Sequence, residues 1–365
     1  MSAIAIGWLT GGIALVGSVL LPFAVRPLLI RLGIMDVPNE RSSHERPVLR
    51  GLGLAVLIAM LLAGGIAVVA LAGGSEAPPG WLMLLIVVIG SLCAGLLGLA
   101  EDLKGLSVAV RSALLLAIAL GAAVTLLLSA QPGVSLAPAI GGGSASFAFI
   151  GGSAAFPLWI AVPLAIYAVL FISSYINVAN FMDGLNGISG FHGVIAGGAF
   201  AAAGWFVGLP WLLVAGLVLA AGFAGFLPWN LTKPGAFLGD VGSYLLGGAT
   251  AITSFAALVA GVPLLATIGP MVIYFGDVAV TLVKRVRAGR RWDEPHKEHT
   301  YQRIQQLGYT HVQASAITAG ATLATSILGL VSIFTSTAGA IALFAAGLVV
   351  LVLYLLLPRL LPCRA

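Results

Sequence analysis

Long stretches of the chain contain no Asp, Glu, Lys or Arg: residues 2–25, 51–75, 77–100, 112–182, 184–232, 241–276 and 304–358. A helix that crosses a bilayer needs about 20 mostly apolar residues. Each run is therefore long enough for at least one crossing, and the longest must be divided. Gln131-Pro132-Gly133, Gly208-Leu209-Pro210 and Ser336-Thr337-Ala338-Gly339 supply the breaks. The division predicts spans near 3–25, 52–74, 80–99, 109–130, 157–175, 189–207, 211–228, 243–261, 264–283, 312–335 and 339–358. The expected fold class is an all-α polytopic membrane protein with about 10–11 transmembrane helices in one integral membrane domain, residues 1–365.

Composition agrees with that pattern. Of the 365 residues, 60% are hydrophobic and 8% charged, and the mean hydropathy is +1.11. A soluble domain carries about 25% charged residues, which excludes an ordinary soluble core. The 48 glycines suit close helix packing in lipid. The N-terminus lacks a basic leader region and reads as a retained span, not a cleaved signal. Cys93 falls in a span and Cys363 near the C-terminus, so no disulfide framework is expected.

Charge sets the orientation. With the N-terminus outside and sides alternating, the inside segments are 26–51, 100–108, 176–188, 229–242, 284–311 and the C-terminal tail. All 17 Lys and Arg residues lie in these segments or at helix ends bordering them, and Glu76 is the single outside charge. By the positive-inside rule the charged loops are cytoplasmic. The net charge of +5 thus reports topology, and no nucleic-acid partner is expected. The outside loop 131–156 carries no recognisable chemistry.

Eleven of the twelve acidic residues share the side of the basic ones. Glu101 and Asp102 follow the third span, Asp183 the fifth, Asp240 precedes the eighth, and Asp277 lies near the inner end of the ninth. Scattered in sequence but at similar depth, they could line one pocket. Alone, each could be an ordinary solvated charge ending a helix. Their surroundings favour a site. Asn177, Asn180, Asp183 and Asn186 crowd one short stretch with Gly184 and Gly187, and Asp240 stands between Gly239 and Gly242 at a helix start. Glycines allow a close backbone approach to a ligand, and helix N-termini attract anions. Oxygen donors from several loops, with no Cys/His tetrad, point to Mg²⁺, or Mn²⁺, and not to zinc.

Basic and imidazole groups complete a phosphate-handling set. His44, Arg46 and Arg50 occupy the first inner loop, and His296, His299 and Arg303 the last large one. The run 284–291 reads as a topology anchor. His296 and His299 would share a helix face if 296–307 is helical, and they suit phosphate donation or proton transfer. His192 reads as a packed or hydrogen-bonded histidine, and His311 is unassigned.

Five segments together resemble a known family. Asp36-Val-Pro-Asn-Glu-Arg-Ser-Ser-His44, Glu101-Asp102-Leu, Asn177-Val-Ala-Asn-Phe-Met-Asp-Gly-Leu-Asn-Gly187, Phe237-Leu-Gly-Asp-Val-Gly-Ser243 and His296-Lys-Glu-His299 look like the successive cytoplasmic motifs of the polyprenyl-phosphate N-acetylhexosamine-1-phosphate transferases. They occur in the family's order between residues 36 and about 303. The resemblance implies a bacterial inner-membrane phosphotransferase with its active site facing the cytoplasm. It would move sugar-1-phosphate from a UDP-N-acetylhexosamine to undecaprenyl or another polyprenyl phosphate and release UMP. It also implies Asp240 as a Mg²⁺ ligand, and Glu101 and Asp102 as activators of the lipid phosphate or aids to the metal. Asp183, Asn177, Asn180, Asn186 and the histidine loop would form the nucleotide-sugar site. A homodimer is left open, as is the choice between a covalent aspartyl intermediate and direct attack. Two positions vary from the family pattern: Glu101 stands where Asp is usual, and Asn186 where many members carry Asp. The His-Lys-Glu-His-Thr-Tyr-Gln-Arg loop resembles the O-antigen-initiating branch, which would place the reaction at the first membrane step of O-antigen or other cell-envelope glycan synthesis.

The competing class is a polytopic transporter or lipid-linked flippase. It predicts ionisable residues lining a path through the spans, often with repeat symmetry. Apart from Asp277 the spans are nearly free of charge, and no repeat is evident. A purely structural scaffold would leave the five polar motifs without a purpose.

Overall fold

The computed structural model describes residues 2–36, 48–73, 80–129, 158–232, 235–291 and 296–364. In chain order these form α1 (Ala3–Arg31), a two-strand antiparallel ribbon of β1 (Met35–Asp36) and β2 (Val48–Leu49), α2 (Gly53–Ala72), α3 (Gly80–Lys104), α4 (Val108–Ser129) and α5 (Leu158–Met182). There follow α6 (Ile188–Phe206), α7 (Pro210–Asn230), α8 (Gly239–Val259), the short α9 (Leu264–Ile268), a 3₁₀ turn (Gly269–Met271), α10 (Val272–Arg287), α11 (Thr300–Gln306), α12 (His311–Val331) and α13 (Thr337–Leu360). Local chemistry starts several of them. Ser2 and Ser336 accept backbone N–H groups at the starts of α1 and α13, Pro210 opens α7, and Thr310 with Gln313 forms a reciprocal capping box on α12.

Helix α8 is the axis of the bundle. Its sequence is rich in Gly, Ala, Ser and Thr, and its whole bilayer-length window is buried, with α2, α3 and α5 packed around it. Small residues make that possible. A side chain at Gly247 would sit 2.6 Å from the Ile176 Cα on α5, and one at Gly53 would sit 2.5 Å from the Gly242 Cα. Such backbone-to-backbone approach lets dispersion hold helices together where lipid removes the hydrophobic drive. At the other extreme, only 11% of the α13 window is buried.

Among the described residues, ten helices are long and apolar enough to cross a membrane, counting α9 through α10 as one. The chain is thus a multi-pass, all-α membrane protein, in keeping with an inner-membrane location. Eleven spans were expected, and α6, the sixth, is not among the ten. Its glycines with Ser189 and His192 dilute its apolar character. It still runs antiparallel to α7 in a tight hairpin, with Gly197 and Gly216 each packed on the facing backbone.

Other boundaries moved in ways that matter for the site. Helix α3 continues through Glu101 and Asp102 to Lys104, and α5 continues through Asn177 and Asn180 to Met182. These groups therefore stand on rigid helix ends, not in loops. The expected helix over 296–307 is shorter: α11 begins at Thr300 and His299 is its N-cap. The loop holding His44 and Arg46, Glu76, and the expected outside loop 131–156 lie outside the described residues.

Candidate active site

The N-terminus of α8 organises one end of the bundle. A helix start leaves N–H groups without partners, and a carboxylate there satisfies them and meets the positive end of the dipole. Asp102, from the last turn of α3, does this from outside the helix. Its Oδ1 accepts the Asp240 N–H at 3.1 Å and its Oδ2 the Val241 N–H at 2.9 Å. Its side chain has 0% exposure. Two glycines permit the approach. Gly239 has φ +76°, and a side chain there would meet the Gly51 backbone at 2.7 Å and Asp102 Oδ2 at 2.8 Å. One turn before Asp102, a side chain at Gly98 would collide with the Asp240 carbonyl. Gly98→Ala should therefore push α3 from α8, lowering the thermal midpoint in detergent by several degrees, the effect of roughly 1–3 kcal/mol of overpacking. An unchanged midpoint would show that the contact yields at no cost.

Arg50 arrives on an extended segment zipped to the chain ahead of α8. Phe237 N–H donates to the Leu49 carbonyl (2.8 Å), Leu52 N–H to Phe237 (3.1 Å) and Gly53 N–H to Leu238 (2.8 Å). The guanidinium then bridges two acids, with Nε 3.1 Å from Asp102 Oδ1 and Nη2 2.8 Å from Asp240 Oδ1. Asp240 is the more open of the pair, at 18% exposure.

Helix α5 supplies the opposite wall. Asn177 and Asn180 are spaced i, i+3 and so lie on one face. Asn180 Nδ2 donates to Asp240 Oδ1 (2.9 Å) and to Ser243 Oγ (3.0 Å), whereas Asn177 Nδ2 donates to the Ser173 carbonyl of its own helix (2.9 Å). Asp183 follows directly and accepts the Ser189 hydroxyl at 2.6 Å. Burial pushes the Asp183 carboxyl up to about 7, opposed by the Ser189 hydrogen bond and aided by repulsion from Asp240. The sign of the linkage follows. Between the ordinary carboxylate value and about 7 the folded protein binds more protons than the unfolded chain, so this group's contribution to stability falls as pH rises through that window. Melting curves from pH about 4 to 8 should fall less steeply with rising pH in Asp183→Asn than in the wild type. Equal slopes would contradict the shift.

The remaining expected residues separate into those brought to this cluster and those used elsewhere. Glu101 turns away from Asp102: it pairs with Arg111 at 3.2 Å and accepts the Leu106 N–H at 3.0 Å, closing the turn from α3 to α4. Asn186 locks its loop, donating to the Asn230 carbonyl (2.6 Å) and lying 3.2 Å from His311 Nδ1 through Oδ1. Arg303 is on the exposed side of α11. The histidine loop is held near Asp183 by Tyr301, whose hydroxyl donates to the Phe181 carbonyl at 3.0 Å in the space left by Gly184. His296 is half-buried, and burial followed by the neighbouring His299 lowers its ring to about 4, which leaves it neutral at physiological pH. Arg285 and Arg290 of the basic run both hold Glu298, at 2.5 and 2.8 Å, so part of that run braces this loop. His192 is buried, 2.7 Å from the Tyr175 hydroxyl and stacked on Tyr274, as a packed histidine should be. Sequence reasoning passed over Ser189, Asn230, Thr300 and Tyr301. Ser189 was detectable from its position six residues after Asp183, but the other three act through contacts with distant segments.

Residues 84–258 match the family model described as glycosyl transferase family 4. The matched region runs from α3 to the end of α8 and contains Glu101, Asp102, Asn177, Asn180, Asp183, Asn186 and Asp240, whereas Arg50 and the histidine loop fall outside it. Over 118 residues the chain is 34% identical to the decaprenyl-phosphate N-acetylglucosaminephosphotransferase of Mycolicibacterium smegmatis, covering 28% of each chain. The protein of the same description from Mycobacterium leprae is 33% identical over 115 residues, 27% of this chain and 28% of the relative. The chain thus aligns with under a third of the length of these relatives.

Proposed function

We propose that this protein transfers sugar-1-phosphate from a UDP-N-acetylhexosamine to a polyprenyl phosphate, releasing UMP, at the cytoplasmic face of the membrane. The observation that carries the reading is the convergence of Arg50, Asp102, Asn180, Asp183 and Asp240, from four separate segments, at one end of the bundle. Supporting it, the relatives' names describe N-acetylglucosamine phosphotransfer to decaprenyl phosphate. The lipid acceptor is tied to the bilayer and the donor to water, so their phosphates meet at the interface, where such a cluster is useful. A sugar donor related to N-acetylglucosamine and a place at the first membrane step of O-antigen or another envelope glycan follow as the finer proposal.

The chemistry is phosphoryl transfer. A lipid phosphate oxygen forms a bond to the sugar-bearing β-phosphorus, the bond from that phosphorus to the bridging oxygen breaks, and UMP leaves with the electron pair. A lipid phosphate is already ionised at neutral pH, so positioning and charge stabilisation carry most of the barrier reduction. Arg50 offers a guanidinium, which suits paired phosphate oxygens. Asn180 fixes the orientation of Asp240, and Asp102 fixes the helix start that bears it.

The donor set fits a hard divalent cation. Three carboxylates share this region, and repulsion among them contributes to the raised Asp183 value. Among the described residues no three acidic, His or Cys side chains converge closely enough to hold an ion alone. Mg²⁺ commonly binds one or two carboxylates, with substrate phosphates and water completing its shell. Asp240 and Asp183, each with one oxygen free of the donors above, are the residues that would hold it. Asp102 fits this role less well, since both its oxygens already accept N–H groups and it has no exposed surface. When bound, the ion would neutralise the donor diphosphate and stabilise the departing UMP. Incubating the purified protein with polyprenyl phosphate, Mg²⁺ and a panel of UDP-N-acetylhexosamines tests the reading. UMP and a lipid-linked sugar product are expected with at least one donor, and neither product with any donor would overturn it.

A further inference from the structure

Asp277 is a fully buried carboxylate inside a bilayer-length segment, Leu264–Arg287, away from the acids described above. A charge at such depth is costly and calls for a partner with a purpose. Its oxygens accept the Thr300 N–H (3.0 and 3.1 Å), the Thr300 hydroxyl (3.2 Å), the Thr281 hydroxyl (3.2 Å) and the Tyr354 hydroxyl (2.9 Å). All of these donors are neutral. One further group faces the carboxylate: His299 Nδ1, 3.5 Å from Oδ1, is buried and has no hydrogen-bond partner. An orphaned ring nitrogen beside a carboxylate is a contact waiting to close. Of the cations on α10, Lys284 is exposed, and the buried Arg285 is already committed to Glu298 and the Arg291 carbonyl.

The cluster is wired to the site on one side and to the last helix on the other. The Tyr301 ring lies parallel to that of His299, 5.8 Å between centroids, and its hydroxyl holds the Phe181 carbonyl two residues before Asp183. Tyr354 belongs to α13, whose buried residues among those described are Ala340 and Tyr354 alone. Its hydroxyl also lies 3.3 Å from that of Thr318 on α12. We propose that Asp277 is a positioning residue: it holds the His299 ring, through the N-terminus of α11, against the Asp183 loop, and Tyr354 recruits the last span to that support. The inference rests on the proposed transfer reaction for its kinetic consequence, but the Asp277–His299 contact stands apart from it.

The test uses the full chain in lipid nanodiscs with isotope-labelled histidine rings, the His299 signal being assigned with His299→Gln. In the wild type that signal should report an Nδ1–H hydrogen-bonded to a carboxylate, and Asp277→Asn should displace it. The donor KM should rise roughly tenfold in Asp277→Asn, the effect of one charge-assisted hydrogen bond, with kcat changed by no more than about threefold. Tyr354→Phe removes one hydroxyl and should raise KM by roughly threefold, so it carries both readouts if Asp277→Asn does not fold. An unmoved His299 signal would overturn the proposal, as would a displaced signal with an unchanged KM. If the wild type transfers no sugar phosphate at all, the functional reading fails, while the ring signal still decides the Asp277–His299 contact.

Discussion

Asp240→Asn should abolish sugar-phosphate transfer while leaving the bundle folded. The substitution removes one negative charge from an acid more open than Asp102 and keeps its shape. An asparagine carbonyl can still accept from Asn180 and Arg50, which now meet Asp240 Oδ1 at 2.9 and 2.8 Å. The start of α8 is held by Asp102 through the backbone N–H groups of residues 240 and 241, and those do not depend on the side chain at 240. What is lost is the anionic oxygen that would meet a divalent cation and, through it, the donor diphosphate. Removing such charge stabilisation should lower kcat on the order of a thousandfold or more. UMP release at saturating Mg²⁺, with a melting curve on the same sample, checks both halves. Wild-type turnover would end the metal assignment to Asp240.

Asp102→Asn should behave differently, losing activity and stability together. Both carboxylate oxygens of Asp102 accept backbone N–H groups, and an amide offers one oxygen where two are needed. Its NH₂ would face a backbone N–H in a buried place, leaving two donors opposed. Arg50 would also lose its Asp102 carboxylate partner, although its side chain is 39% exposed and water softens that loss. The combined cost is about 2–4 kcal/mol, enough to shift the melting midpoint visibly in a protein of marginal stability. A variant with normal melting and no activity would move Asp102 from supporting the site to taking part in the chemistry.

The contrast between these two acids shows what a sequence can and cannot reveal. Charge-free runs marked the helices, and one-sided polar motifs marked which residues to examine. Asp102, Asn180, Asp183 and Asp240 do meet at one end of the bundle. What stayed hidden was the division of labour. Nothing in Glu101-Asp102 says that one acid closes a turn with Arg111 while its neighbour caps a helix 138 residues later. That outcome depends on the register of α3 against α8, which Gly98 sets by its close approach to the Asp240 backbone while Gly239 leaves room for the Asp102 carboxylate. The extents of α3 and α5 were also underestimated, because polar residues at 101–104 and 177–182 look like loop until burial and capping carry the helix onward. Asn186 and His299 illustrate the same limit. Their residue types suit a substrate, but Asn186 is largely occupied with Asn230 and His311, and His299 is buried beside Asp277.

A donor radiolabelled at its β-phosphorus tests the central claim most directly. Transfer of sugar-1-phosphate carries that label into the lipid fraction while UMP appears in water, and the two should rise in equal amounts only when polyprenyl phosphate and Mg²⁺ are both present. Label that stays with the nucleotide, or that never enters the lipid under any of these conditions, would contradict the account.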